Sequence, residues 1–336
     1  MTLKYPLILL IALILTGCAS HTTNDWLQQE LNGKVKSYSE YSYEAVDVFG
    51  NIQKGMRARK FSDYRFDFLK IFDRIGNIIE AIQYNPDGSL KERTINTYDK
   101  KGHLIESVDY SSDSSLENKT VYKEDDKGNE SKGTTYNSDG SIETTFMYKY
   151  DDNDNCIESS HYLSNGILES QTIYKYDNYG NEREILYFSL DSVFEYKFVY
   201  KNDDKGNVKE LLHFNKDSLL NYKITYKYDD KGHKIEECLY DSDSNLENKY
   251  TFKYDEKGNK IEENTYNSDG SFIKMTTFKY DDMNNKIEEY SYKPKAYLNI
   301  KFRYEFEYDH KGNWVKKTVI KNDKPQYILE RSFEYY

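Results

Sequence analysis

The chain has 336 residues, of which 37% are hydrophobic, 31% charged and 16% aromatic, and its formal net charge is −11. That acidity excludes a nucleic-acid partner, which needs a basic stripe to meet phosphates. Only 4 prolines against 35 tyrosines exclude a disordered low-complexity chain, because aromatic residues favour half-buried strands.

The first segment, MTLKYPLILLIALILTGCAS, reads as an address. Lys4 precedes an apolar run from Leu7 to Leu15, shorter than the roughly 20 residues that span a bilayer. Leu15-Thr16-Gly17-Cys18 resembles the lipobox of a bacterial lipoprotein signal peptide. The resemblance implies removal of residues 1–17, diacylglycerol on the Cys18 thiol and a further acyl chain on its amine. Two or more chains anchor stably where one does not. Ala19 in place of Asp implies sorting to the outer membrane, and the lack of an acidic run after Cys18 implies a periplasmic-facing anchor.

Residues 18–32 are expected to form the lipidated tether and a short helix. Within NDWLQQELNGKVKS, Asn24 or Asp25 caps the helix, Trp26, Leu27 and Leu31 make its apolar side, and Gly33 stops it. Its expected role is to cover the first edge of a sheet, since repeat arrays need caps.

Residues 33–336 are a repeat array. With the Gly of Lys-Gly-Asn as position zero, copies fall at 50, 76, 102, 128, 154, 180, 206, 232, 258 and 284, always 26 apart, and at 312 after two inserted residues. Asp154 and Asn284 stand in for the Gly, and both types tolerate positive φ. The eleven copies lack helical periodicity. Each reads as two strands and two turns: Asp-x-x-Gly-Asn, as in Asp255 to Asn259, and Asn-Ser-Asp-Gly-Ser, as in 267–271. The fold class expected is all-β: tandem β-hairpin repeats in one long antiparallel sheet, twisted or spiralling, of about 22 strands.

Aromatic residues stand four, six and eight before the Gly (Tyr254, Phe252, Tyr250) and eight after it (Tyr266), and an aliphatic residue or Phe stands fourteen after (Phe272). All these offsets are even. If both turns are three-residue bulged loops, the aromatic positions share one face. Lys253 and its equivalents, five before the Gly, belong to the other face. Glu262 and its equivalents, four after, then fall among the tyrosines, which a dry face could not hold cheaply. Either the register is shifted by one or that face is open to water. Cys156 and Cys238 lie three copies apart, about 29 Å, which excludes a bridge between them unless the sheet folds back.

YKYDDKGHKIEE and FKYDEKGNKIEEN resemble the YD repeats of RHS proteins and teneurins, across roughly residues 45–320. The kernel Tyr-Asp-x-x-Gly is complete at Tyr98-Asp99, Tyr176-Asp177, Tyr228-Asp229, Tyr254-Asp255 and Tyr308-Asp309. The resemblance implies a long antiparallel sheet that can spiral into a hollow shell, and an association with carbohydrate binding and toxin encapsulation. Here Asn or His follows the Gly where that family has Arg.

No nucleophile motif is present, and neighbouring carboxylates such as Glu262 and Glu263 point to opposite faces of a strand, so no enzyme is expected. No metal site or cofactor is expected either. His161 and His213 fall two copies apart, and Asp151 to Asn155 lacks the Gly and Glu of a calcium loop. The candidate ligand face comprises Tyr150, Tyr176, Tyr228, Tyr254 and Tyr280, to stack on sugar rings, with Glu236 and Glu262 to bind hydroxyls. The function expected is a non-catalytic envelope lipoprotein, a binding or scaffolding module for a glycan or protein partner. The alternative is a structural spacer or immunity-like lipoprotein without glycan binding.

Overall fold

A computed structural model describes residues 25–58, 67–296 and 298–336. The signal segment and Cys18 lie outside the described residues. The described chain is almost entirely antiparallel β-structure: one four-residue helix, α1 (Asp25–Gln28), two short 3-10 turns, and 23 strands. The first strands are β1 (Val35–Val48), β2 (Asn51–Arg57), β3 (Asp67–Phe72) and β4 (Ile78–Tyr84), and the last are β22 (Trp314–Lys321) and β23 (Lys324–Tyr335).

The expected open sheet is corrected to a closed barrel. Along Ser37–Glu40, β1 pairs with β3 on one side and with β23 on the other. The ring therefore contains β1 and β3 to β23, 22 strands in all, while β2 pairs with the far half of β1. Strands about 4.8 Å apart give a perimeter near 105 Å and a circular diameter of at least about 34 Å, too wide for opposite walls to touch. The substantial strand contacts are accordingly between ring neighbours.

Each Asp-x-x-Gly-Asn turn is the expected bulged hairpin. Asp255 N–H donates to the Asn259 carbonyl at 2.9 Å, Gly258 N–H donates to the Asp255 carbonyl at 3.1 Å, and Gly258 has φ +90°. The second turn repeats this at Asn267 and Ser271. The two outermost hairpins differ: Phe49-Gly50 and Asn322-Asp323 are two-residue turns with both central residues left-handed.

The register departs from the expectation just after each turn. Tyr254 pairs with Lys260, but Lys253 pairs with Glu262, which leaves Ile261 as an extra residue. Tyr266 pairs with Phe272, but Thr265 pairs with Lys274, which leaves Ile273 extra. Each β-bulge flips the alternation, and two flips in an even repeat restore it. The rings before the Gly therefore share one face, called here the aromatic face. The rings eight after it share the opposite face with Lys253 and Glu262, called here the ladder face.

The helix role is also corrected: β1 has no open edge to cover. Helix α1 and the segment after it instead staple the seam. Ile78 N–H donates to Asp25 Oδ2 at 2.5 Å, Trp26 Nε1 to the Val35 carbonyl at 2.8 Å, and Asn32 N–H to Asn313 Oδ1 at 2.7 Å. Trp26, Leu31, Val35, Tyr38 and Phe72 form a buried cluster there. A second cluster, with Tyr174, Ile185, Phe198, Leu211, Ile224 and Leu239, lies along consecutive strands on the aromatic face.

Candidate ligand-binding face

The tyrosines four before each Gly are committed to the fold. Tyr254 OH donates to the Lys234 carbonyl of the preceding copy at 2.8 Å. The backbone ladder between these strands ends at Glu236–Thr251, so that carbonyl lies beyond it and takes the hydroxyl instead. Tyr150, Tyr176, Tyr228 and Tyr280 make the same bond to the carbonyls of Glu130, Cys156, Val208 and Lys260. Asn202, in a Tyr place, does so through its amide. Burial raises the hydroxyl pKa of Tyr150 and Tyr176 to about 12.

Glu236 and Glu262 stand on the other face. Glu236 is gripped by Lys227 at 2.7 Å and Lys249 at 2.6 Å, and Glu262 by Lys253 at 2.9 Å. These lysines, first by hydrogen bonding, hold both carboxyls below the usual range. The pattern recurs at Glu158, Glu184 and Glu288 as a ladder around the wall. The structure thus does not bring the candidate tyrosines together with the candidate glutamates.

The even offsets group the rings eight after the Gly with the other aromatics. They lie instead beside the Lys–Glu ladder: Tyr110, Tyr136, Tyr162, Tyr266 and Tyr292 are half-buried, and Leu116 and Phe272 flank the row. Tyr266 meets Phe272 edge-on at 5.8 Å between ring centres, and Arg93 lies over the Tyr110 ring. Equivalent rings recur every two strands, about 10 Å apart. The fixed place eight after the Gly was the sequence signal, and only the bulge reveals which face it serves.

The aromatic face carries its own charge. Lys234, Lys260 and Lys286 pair with Glu237, Glu263 and Glu289, and each ammonium sits between rings of neighbouring copies, as Lys260 does between Phe252 and Phe278. The copy at Gly128 is the reverse of these three. Glu124 replaces the tyrosine and pairs across the ladder with Glu130. Burial, then the Glu124 charge, pushes the Glu130 carboxyl up to about 6.

The remaining polar candidates are turn chemistry. Asp151 Oδ1 accepts from the backbone of Asn153 and Asn155, and Lys127 reaches Asp154 at 3.0 Å, so cations are met there by lysine. His161 contacts Glu169 at 2.7 Å, and His213 is buried against Phe198 and Tyr222. Cys238 is a free thiol and is not bridged to Cys156.

No protein-family model and no curated protein matches the chain. Among solved structures it is similar to the toxin-complex structure TcdB2-TccC3-Cdc42, at 13% identity and a TM-score of 0.33, covering 84% of this chain and 17% of that one. The chain spans less than a fifth of that protein. It is also similar to a porin-like protein from Bacteroides uniformis, at 9% identity and a TM-score of 0.24, covering 90% of this chain and 99% of that one. A porin-like protein from Bacteroides vulgatus gives 12% identity and a TM-score of 0.23, covering 90% and 100%. At such scores nothing about function carries across.

Proposed function

We propose that this chain is a non-catalytic, YD-repeat-like lipoprotein of the cell envelope. It is held through acylated Cys18 on the periplasmic side of the outer membrane, and its barrel serves as a binding or scaffolding module for a glycan. The observation that carries this reading is the row of half-exposed rings, Tyr110 to Tyr292, beside the charged ladder. Flat rings stack on sugar faces, and flanking Lys and Glu bond hydroxyls. A spacing of about 10 Å suits a polymer read once per disaccharide.

The wall also fits a tethered barrel rather than a spanning one. Both faces carry Lys–Glu pairs, at Lys234–Glu237 on one and Lys227–Glu236 on the other. A lipid-facing wall needs an apolar band, and a Lys at its middle costs about 2–4 kcal/mol.

A second reading, a spacer without a ligand, is favoured by the tied hydroxyls of Tyr228 and Tyr254. A glycan array separates the two. The binding reading expects a glycan whose signal falls on Tyr266→Ala and Tyr292→Ala while folding is retained. An array blank for the folded parent protein supports the spacer. Labelled palmitate should enter the parent chain and not Cys18→Ala, and incorporation into the variant would overturn the anchor.

A further inference from the structure

One junction between neighbouring hairpins sets a carboxylate in the bridging place. It joins the copy at Gly102 to the copy at Gly128, where Glu124 takes the tyrosine position. An ionised carboxylate has no proton to donate to the preceding carbonyl. Glu124 Oε1 instead lies 2.6 Å from His103 Nδ1, and Asp99 Oδ2 lies 3.7 Å from the same nitrogen. His103 Nδ1 is closed off from solvent yet has no partner in hydrogen-bond geometry. Ligand atoms of Asp99, His103 and Glu124 all fall within 4.8 Å of one another.

The same turn elsewhere shows what is unusual. In Asp229-Asp230-Lys231-Gly232-His233, His233 Nδ1 meets its own Asp229 Oδ2 at 3.0 Å, and its ring stacks on Tyr254 with centres 4.7 Å apart. At the Gly102 copy Nδ1 lies nearer the Glu124 carboxylate of the next hairpin than its own Asp99. A second carboxylate, Glu130, directly faces Glu124 across the ladder, where other copies set Lys234, Lys260 or Lys286 opposite a tyrosine. Like charges directly opposed destabilise a sheet, and no ion pair to Glu130 is found among the described residues. One imidazole with converging carboxylates is the donor set of a borderline divalent ion.

We propose that Asp99, His103 and Glu124, with Glu130 beside them, bind one divalent ion of the zinc class. The ion clamps the turn ends of the two hairpins where the tyrosine bridge is missing. His103 Nδ1 and the Glu124 and Asp99 carboxylates supply the ligands, and the ion relieves the repulsion between Glu124 and Glu130. This site stands apart from the ring row and does not depend on the glycan reading.

The test is calorimetric titration of Zn2+ into the tag-free chain, paired with thermal unfolding. His103→Asn and Glu124→Tyr install residues that other copies carry at those places, so both variants are expected to fold. The expected result is one ion bound, a higher melting temperature with Zn2+, and at least about tenfold weaker binding in each variant. His233→Asn should leave binding unchanged. Absence of Zn2+ binding to the parent chain, or binding of equal strength in His103→Asn and Glu124→Tyr, overturns the proposal.

Discussion

Tyr254 links its hairpin to the one before it through a single hydroxyl, donated to the Lys234 carbonyl at 2.8 Å. Tyr254→Phe keeps the ring and removes the bond. It should lower stability by about 1 kcal/mol, read as a shift in urea midpoint with an unchanged m-value. Gly133 tests packing on the same face. A Cβ there would lie 1.9 Å from Phe146 Cε2, so the ring covers the backbone. Gly133→Ala should destabilise by about 1–3 kcal/mol, and adding Phe146→Leu should recover part of that loss. Equal stability of Gly133→Ala and the parent would contradict the close approach.

At the scale of elements, the turns were legible and the faces were not. Asp, Gly and Asn at fixed offsets name a bulged loop because each has its own mechanism: Asp255 Oδ1 accepts the Asn259 N–H at 2.8 Å, and Gly258 takes positive φ. The bulges at Ile261 and Ile273 carry no such signature, since an extra Ile looks like any strand residue. One unseen residue moved Glu262 from the tyrosines to the lysines, and with it the expected binding face dissolved. Barrel closure was likewise hidden, because it joins β1 and β23 from opposite ends of the sequence. Arg331 Nε donates to Glu40 Oε2 at 2.8 Å across the seam, with only 16% and 7% of the two side chains exposed, and the guanidinium lies over Trp314. Arg331→Met should cost about 3–5 kcal/mol because it strands the Glu40 charge, and Arg331→Met with Glu40→Met should recover much of it. Thermal or urea unfolding of the three chains checks this.

The whole molecule is a ring of near-identical units, so small effects repeat. The turn aspartates, such as Asp177 and Asp255, are held low first by hydrogen bonds from Asn181 and Asn259. Glu236 and Glu288 are held low first by hydrogen bonds from lysine. Groups depressed in the folded state stabilise it above their unfolded pKa values and lose that contribution as pH falls through the folded ones. Stability should therefore decline steadily from about pH 4 toward pH 2, below the window in which the raised Glu130 carboxyl acts in the opposite sense. A urea midpoint that rises on acidification over that range would contradict this. The most direct test of closure is disulfide trapping of Ser39→Cys with Ser332→Cys, which face each other across the seam between β1 and β23. Directly paired strand residues lie within the Cα separation a disulfide needs. The closed barrel predicts that the two thiols oxidise within one chain and change its mobility on a non-reducing gel. Thiols that stay free in the folded protein would mean that the ring is open.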